Sequence, residues 1–274
     1  ASKGLKVCLN DINDDVAKTV ENGELPYVEY GAKPLLKKTL ASGNLSINLS
    51  PECISESRYV IIAIGTPVDE YLNPKVLQFL EFIENIKQYL DPSQIIIVRS
   101  SVYPRICKQI MNVLGEGNDW HLAYCPERIV QGYAVQELEK LPQIVAGFSD
   151  RAIEKASELF NKIASKIIKT TVGEAELVKL YSNSWRYIQF ATANQFYMIA
   201  NDFEVDYDRV RDIMIDGYDR AKGLPSAGFA AGPCLVKDTM QLASFNNNHF
   251  LLGQAAMNIN EGLPEYLVTN LKKN

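Results

Sequence analysis

Short apolar runs alternate with amphipathic segments along the first 171 residues. The segments between the runs, such as 74–90 and 150–164, repeat apolar residues at helical spacing. Six runs have the length of strands: LKVCLND, YVIIAIG, QIIIVRS, HLAYC, QIVAGF and KIIKTT. Continuous apolar strands separated by helices are typical of a parallel sheet that is covered on both faces. The first part of the chain is therefore predicted to be α/β, with a doubly wound, Rossmann-like sheet.

The pattern changes after residue 173. Residues 174–203 contain no glycine or proline, which predicts a helix of about 45 Å at the usual rise per residue. Aromatic residues occur all around this helix, so we expect it to be buried on more than one side, within a large domain or against another subunit. Two further helices are predicted around 206–217 and 238–252.

We place a domain boundary near residue 172, which gives an α/β domain at 1–172 and an all-α domain at 173–274. The chain has 274 residues, enough for two domains with their own cores. Its 47% hydrophobic and 22% charged residues are typical of a globular protein. The formal net charge of −5 argues against a nucleic-acid-binding protein, which usually carries a basic face. No apolar run approaches the roughly 18 residues that span a bilayer, so no membrane insertion is expected.

The five cysteines, at positions 8, 53, 107, 125 and 234, include no CxxC pair. This usage favours reduced thiols in a cytoplasmic protein over a disulfide framework or a structural zinc site. The two histidines, His121 and His249, are too few for a three-histidine metal site. We therefore predict no metal centre.

Polar residues follow several of the predicted strands, and open α/β sheets bind ligands at the carboxyl ends of their strands. Asp11 is placed to accept hydrogen bonds from the ribose of a dinucleotide or, equally, to cap the next helix. Thr66 and Ser101 fit a binding site or an ordinary turn. Glu127 and Arg128 fit a binding site or a solvated ion pair.

The long helix carries four polar residues, Glu176, Lys179, Asn183 and Arg186, at offsets of three and four that place them near one face. A buried ammonium group is costly unless it is paired or functional. A functional role for this face is therefore favoured over a chance grouping.

The stretch AAGPCLVKD places Cys234 in a turn before a predicted helix. Most free cysteines are small, buried and inert. Cys234 differs because Gly228 and Gly232 allow close backbone approach, and Lys237 lies near it. A positive charge and a helix N-terminus both favour the reactive thiolate. We predict that Cys234 is a nucleophile, with Cys125 as its one competitor.

Taken in order, these residues resemble the UDP-glucose/GDP-mannose dehydrogenase family over essentially the whole chain. Each motif is weak alone, but the ordered series is specific. The matching stretches are Asp11-Ile12-Asn13, Gly65-Thr66-Pro67, Arg99-Ser100-Ser101-Val102-Tyr103-Pro104, Pro126-Glu127-Arg128-Ile129, Glu137-Leu138, Leu141-Pro142-Gln143, Glu174-Ala175-Glu176-Leu177-Val178-Lys179, Asn183, Ala193-Asn194, Gly232-Pro233-Cys234-Leu235 and Lys237-Asp238.

The resemblance implies a four-electron oxidation of a nucleotide sugar at C6, from alcohol to acid, with two NAD molecules used in turn. It implies that Cys234 carries the thiohemiacetal and thioester intermediates and that Glu127 acts as the acid/base. Lys179 and Asn183 would stabilise the oxyanion, and Asp238 would position water or Lys179. The implied cofactor residues are Asp11, Thr66, Ser101 and Lys237. The implied substrate residues are Glu127, Arg128, Lys179, Asn183, Tyr218, Arg220 and Gly228.

The resemblance also implies a UDP-hexose or UDP-N-acetylhexosamine substrate. The aromatic residues spread around helix 174–203 predict a homodimer built on that helix. The Pro-Glu-Arg-Ile and Leu-Pro-Gln-Ile-Val versions of two motifs favour the N-acetylhexosamine branch. Asp11 favours NAD over NADP, because a 2′-phosphate would face a carboxylate.

The chain departs from the family's pattern at several positions: Ser101 for threonine, Arg105 and Ile106 for glycine and threonine, Gln131 for glutamate, and Ala231 for glycine. It has no GxGxxG loop, and it reads as a family member without the first strand and without the C-terminal nucleotide-binding domain. We therefore expect these residues alone to bind NAD weakly and to turn over no sugar.

Two alternatives stay open from the residues. The first is a two-electron hydroxyacid dehydrogenase with lysine and asparagine one turn apart on a long helix, in which Cys234 is incidental. The second is a non-catalytic fragment that acts only in assembly. Covalent trapping of Cys234 by an aldehyde analogue tests the first, and an activity assay beside a longer version of the chain tests the second.

Overall fold

A computed structural model describes residues 1–66, 68–70, 72–117, 119–230 and 232–272, so Pro67 and Ala231 of the motifs above lie outside the described residues. The strands are β1 Val7–Asn10, β2 Leu45–Asn48, β3 Tyr59–Ile62, β4 Ile95–Val98, β5 His121–Tyr124, β6 Gln143–Gly147 and β7 Ile167–Lys169. The helices are α1 Asp14–Glu21, α2 Ala32–Ala41, α3 Val76–Lys87, α4 Ile106–Leu114, α5 Ala134–Lys140, α6 Asp150–Phe160, α7 Val172–Asp202, α8 Tyr207–Ile215, α9 Pro233–Phe245 and α10 Leu251–Leu271.

The chain divides into two compact units. The first comprises Ala1–Pro67 and Val76–Glu176, and the second comprises Val68–Lys75 and Leu177–Asn274. The division after Glu176 falls inside helix α7, whereas the sequence places the boundary near residue 172, before the helix. Because α7 runs without interruption, its composition carries no signal for where one unit ends.

The first unit contains both sheets. Strands β1 and β2 form a parallel pair, and the other five form a sheet in the order β3-β4-β5-β6-β7. The predicted α/β class, with helices between largely parallel strands, is confirmed. Strand β2 is absent from the sequence prediction because its sequence, LSIN, alternates apolar and polar residues and is half-buried rather than continuously apolar.

One strand pair departs from the predicted parallel arrangement. Strands β3, β4 and β5 are parallel, but β6 runs antiparallel to β5 and parallel to β7. The connection from β5 contains only the seven-residue helix α5, and the chain re-enters the sheet at the edge where β5 ends. A parallel pair would need a crossover back to the opposite edge.

The centre of the first unit is strand β4, whose four residues are all buried. Ile95 and Ile97 pack with Ala123 of β5 and with Ala152 and Ala156 of α6. Small residues on α6 allow the helix to approach the β-branched face closely, so the hydrophobic effect fixes α6 against the strands. The core thereby sets the positions of the loops that follow β3, β4 and β5.

The second unit is helical. Helix α7 has 31 residues, in agreement with the long helix predicted at 174–203. The predicted helix at 238–252 is wrong in extent, because α9 ends at Phe245 and α10 starts at Leu251. Between them, Asn247 and Asn248 adopt left-handed backbone conformations, with φ of 51° and 60°. Asparagine is one of the few residues that tolerate this conformation, which ends the helix. In the described part of the chain, no helix combines the length and apolar character needed to cross a membrane.

Candidate active site

Cys234 lies in the first turn of helix α9. Gly232, with φ of +83°, precedes the helix in a left-handed conformation that disfavours other residues, and α9 begins at residue 233. The helix therefore starts earlier than Lys237, where the sequence places it. The Cys234 thiol is exposed, next to the partial positive charge of the helix N-terminus. The thiol is therefore accessible to a ligand.

A buried polar cluster lies one turn further along α9. Asp238, with no exposed surface, accepts a hydrogen bond of 2.6 Å at Oδ2 from Nδ2 of Asn183 on α7. Its other oxygen, Oδ1, lies 3.6 Å from Nζ of Lys237. Lys179, one turn before Asn183 on α7, is also buried. Helices α7 and α9 thus join a carboxylate and an amide, with the Lys237 ammonium near them, one turn along α9 from Cys234.

Burial lowers the pKa of the Lys179 ammonium from its ordinary value. The negative charges of Asp238 and of the Cys234 thiolate oppose this shift, and the positive charges of Lys237 and Arg186 add to it. Because the charges of both Asp238 and Cys234 affect the pKa of Lys179, this lysine is near the thiol. Its ammonium can therefore stabilise negative charge that develops on an atom bonded to Cys234.

The other four cysteines, all within the described residues, are less accessible than Cys234. Cys107 and Cys125 are fully buried, and burial raises the pKa of the Cys125 thiol to about 12. Cys8 and Cys53 are half-buried, and burial together with a hydrogen bond to Cys8 raises the pKa of Cys53 to about 11. Cys125, the one competitor that the sequence offers, is therefore protonated at neutral pH and inaccessible.

In the first unit, Glu127 follows strand β5 and forms an ion pair with Arg99, which follows β4. Its Oε1 accepts hydrogen bonds from the backbone N–H groups of Arg128, at 2.7 Å, and Ile129, at 3.1 Å. Arg99 in turn donates to Oε1 of Gln143 at 3.0 Å and lies 4.8 Å from the ring centroid of Phe160. The Glu127 carboxylate is thus held by three donors and cannot rotate freely.

Arg128 turns away from this pair. Its guanidinium donates to the carbonyl oxygen of Pro142 at 2.8 Å and supports the loop before β6. Gln143 also donates to the carbonyl of Pro126, at 3.2 Å, so the loop that carries Glu127 is fixed from both sides. Arg99 and Gln143, which occur in the sequence motifs without an assigned role, are thus further candidates for this site. In the sequence, each is a polar residue beside an apolar run: Arg99 directly follows strand β4, and Gln143 is the first residue of strand β6.

The remaining cofactor candidates of the first unit follow successive strands. Asp11 follows β1, Thr66 follows β3, and Ser101 follows β4. Strands β3 and β4 are parallel neighbours, so Thr66 and Ser101 lie at the same edge of the sheet. Oδ1 of Asp11 accepts a hydrogen bond of 2.9 Å from the backbone of Asn13, and Asn13 rather than Asp11 caps helix α1. The second carboxylate oxygen of Asp11 has no part in that turn.

The polar face predicted on α7 divides in the structure. Glu176 is buried and accepts hydrogen bonds from the backbone of Arg105, at 2.7 Å, and Cys107, at 3.2 Å, at the start of helix α4. Arg105 there has a left-handed φ of 71°. Glu176 therefore caps α4 in the first unit, Lys179 and Asn183 belong to the cluster of the second unit, and Arg186 is exposed.

Tyr218 and Arg220 are exposed, and the guanidinium carbon of Arg220 lies 5.0 Å from the centroid of the Tyr218 ring. Gly228 belongs to the loop between this pair and α9. Both backbone polar groups of Gly228 are bonded to the Asn194 side chain, at 2.8 and 3.0 Å. The Asn194 side chain therefore fixes the backbone at Gly228.

The chain matches two family models. Residues 1–164 match the NAD binding domain of the UDP-glucose/GDP-mannose dehydrogenase family, and residues 173–262 match the central domain of the same family. The chain belongs to this family.

Its relatives include the UDP-N-acetyl-D-mannosamine dehydrogenase of Methanococcus aeolicus, which is 28% identical over 280 residues, covering 100% of this chain and 63% of the relative. The solved structure of UDP-D-ManNAc dehydrogenase from Pyrococcus horikoshii matches with a TM-score of 0.91 at 27% identity, covering 99% of this chain and 66% of that one. The UDP-N-acetyl-mannosamine dehydrogenase Cap5O from Staphylococcus aureus matches with a TM-score of 0.83 at 26% identity, again covering 99% and 66%. The chain thus spans about two thirds of the length of these relatives.

Proposed function

We propose that the protein oxidises the C6 hydroxyl of a UDP-N-acetylhexosamine to the uronic acid, with Cys234 as the covalent nucleophile. The observation that carries the proposal is the cluster in the second unit: an exposed thiol at a helix N-terminus above buried Lys179, Asn183 and Asp238. A nucleophile, donors for an oxyanion and a carboxylate that orients them are the parts that acyl chemistry requires.

The first unit fits NAD. The free oxygen of the Asp11 carboxylate suits the ribose hydroxyls, and Thr66 and Ser101 are hydroxyl groups at the edge of the sheet where such ligands bind. NAD, when bound, supplies the hydride acceptor for each of the two oxidations. Lys237 is a further candidate on α9, although its ammonium already faces Asp238.

Cys234 acts after the first oxidation. Its thiolate adds to C6 of the aldehyde, which forms a carbon–sulfur bond and places negative charge on the former carbonyl oxygen. Lys179 and Asn183 stabilise that oxygen, and Asp238 keeps the Asn183 amide directed towards it. Loss of hydride from the adduct leaves a thioester. Attack by water then breaks the carbon–sulfur bond, which releases the acid and returns the thiolate.

Glu127 serves as the base that accepts a proton from this water. Arg99 and two backbone N–H groups hold the Glu127 carboxylate in one orientation, which supports the acid/base role that the resemblance implies for it.

Three features support the substrate class. The relatives most similar in sequence and structure include several named UDP-N-acetyl-D-mannosamine dehydrogenases. The Pro-Glu-Arg-Ile and Leu-Pro-Gln-Ile-Val motifs point to the same branch. Tyr218, Arg220 and the loop to Gly228 would contact the nucleotide diphosphate, for which the exposed guanidinium of Arg220 supplies a positive charge.

A homodimer built on helix α7 is part of this proposal. Tyr181 and Trp185 of α7 are 55% and 61% exposed. They line an apolar cavity of about 390 Å³ together with Leu242 and Phe245 of α9 and with Phe250. An exposed apolar surface of this kind marks a protein contact. A second copy of α7, which carries the same aromatic side chains, is its proposed occupant.

The Cys234→Ala variant tests the mechanism in the full-length protein. Wild type should form two NADH per UDP-N-acetylmannosamine and release the uronate, while Cys234→Ala should form no acid, because no thioester can form. The matched control is Cys53→Ala, a half-buried cysteine of the other unit, which should retain full acid formation. Equal uronate production by Cys234→Ala and wild type would contradict the covalent mechanism.

A further inference from the structure

A loop of the second unit, residues 223–228, is held mainly by side chains, beside a backbone hydrogen bond of 2.9 Å from the Leu224 N–H to the carbonyl of Ala221. Gln189 donates to the carbonyl of Gly223 at 3.2 Å, and Arg211 donates to that of Leu224 at 3.0 Å. The Tyr207 hydroxyl donates to the carbonyl of Pro225 at 3.1 Å. We call the four side chains that bond this loop, Gln189, Asn194, Tyr207 and Arg211, the clamp.

Asn194 makes the central contact of the clamp. Its Oδ1 accepts from the Gly228 N–H at 2.8 Å, and its Nδ2 donates to the Gly228 carbonyl at 3.0 Å. The N–H belongs to the peptide before Gly228 and the carbonyl to the peptide after it. One side chain therefore fixes the orientation of two successive peptide planes.

The Asn194 amide is itself fixed. It has no exposed surface, and Nδ2 also donates to Oδ1 of Asn260 on α10 at 2.9 Å. Asn260 donates in turn to the carbonyl of Tyr187 at 3.0 Å, which holds its own amide in one orientation. With both N–H groups and its oxygen in use, Asn194 has little capacity left for a substrate. Its contacts serve the loop.

The loop leads directly to the nucleophile. Gly228 is followed by Phe229 and Ala230, and Ala230 packs against the apolar cluster that contains Leu235 of α9. Leu224 and Ala227 pack beside Tyr207 and Ala193. The loop is thus anchored at both ends, and the peptides around Gly228 determine where the segment before Cys234 starts.

We infer that Asn194 is a positioning residue, which holds the 223–228 loop in the conformation that receives the nucleotide sugar. The inference rests on the proposed function for the identity of the ligand, but the fixing of the loop does not depend on it. Because a buried hydrogen bond changes an equilibrium by about two- to tenfold, loss of the two bonds to Gly228 should loosen the loop by about tenfold or more.

The test compares Asn194→Ala with wild type in the full-length protein. Hydrogen exchange of the backbone N–H groups of residues 224 and 226–230 should accelerate about tenfold or more, and by more than exchange in α7 and α10. The KM for UDP-N-acetylmannosamine should rise about tenfold while the KM for NAD changes less than twofold. A merely structural role would alter both KM values or the thermal stability together. Asn201→Ala is the matched control, because Asn201 lies on the same helix and its side chain donates to the Tyr266 hydroxyl of α10, away from the loop.

Tyr207→Phe supplies a second variant in case Asn194→Ala does not fold, because it removes one hydroxyl and keeps the packed ring. It should accelerate exchange near Pro225 by about two- to tenfold. Unchanged loop exchange in both variants overturns the inference, and so does faster exchange with an unaltered KM for the sugar. If wild type oxidises no nucleotide sugar while Asn194→Ala still accelerates loop exchange, the proposed function fails and the holding of the loop by Asn194 stands.

Discussion

The ion pair between Arg99 and Glu127 gives a quantitative test of the first unit. The Arg99→Leu variant removes the guanidinium and keeps an apolar side chain over Phe160. The side chains of Arg99 and Glu127 are only 13% and 24% exposed. Removal of one partner from a fully buried ion pair costs about 3–5 kcal/mol, because the remaining charge is uncompensated. Glu127 keeps two backbone donors and some contact with water, so we expect a loss of about 2–3 kcal/mol in the free energy of unfolding.

Urea unfolding followed by Trp120 measures this loss. Trp120 is buried in the first unit and donates to the carbonyl of Leu114 at 3.0 Å. A Trp185→Phe background removes the tryptophan of the second unit, so that fluorescence reports the first unit. With a denaturant dependence of about 2 kcal/mol per molar urea, the midpoint of Arg99→Leu should fall by about 1–1.5 M.

Two further variants separate the charge effect from lost packing. Arg99→Leu/Glu127→Leu removes both charges and should recover part of the stability, because no unpaired carboxylate is left in a poorly solvated position. Lys155→Leu breaks the exposed ion pair with Glu158 on α6 and should cost much less stability than Arg99→Leu, because water screens these charges. If Arg99→Leu costs no more than Lys155→Leu, or if the double variant is less stable than Arg99→Leu, the reasoning is refuted.

Two other expectations concern the second unit. Because burial lowers the pKa of Lys179, its ammonium loses its proton below the pH at which an exposed lysine does, so acid formation should fall on the alkaline side as pH rises through that lowered pKa. Lys179→Arg keeps the charge and should move this limb of the pH–rate profile to higher pH; an unmoved limb would contradict the oxyanion role. Trp185→Glu should convert a dimer to a monomer in sedimentation at tens of micromolar, whereas Leu77→Glu, at an equally exposed apolar position of the first unit, should not. A monomeric wild type would contradict the dimer.

Local patterns predict the strands and the long helix well. The IIIV run of β4 and the glycine-free stretch of α7 are formed by contacts that repeat along the chain, and such repeats are visible in the sequence. The antiparallel direction of β6 cannot be predicted in this way, because it depends on where the chain re-enters the sheet and not on the composition of the strand. The division of one helix into α9 and α10 depends on asparagines that adopt left-handed conformations, which many asparagines in helices do not.

The periodicity of a sequence does not predict the hydrogen-bond partners of its buried polar residues. Glu176, Asn183 and Asn194 of α7 are all buried, and each has its partner far along the chain, in α4, in α9 and in the 223–228 loop. Because an unsatisfied buried polar group is costly, a polar residue at an apolar helix position indicates that a partner exists. It does not identify that partner, since a hydrogen bond between distant segments leaves no repeat in either one. The family motifs predict Asn183 and Asp238 as site residues, but only the folded chain shows that they bond each other and that Asn194 bonds Gly228 in the loop before Cys234.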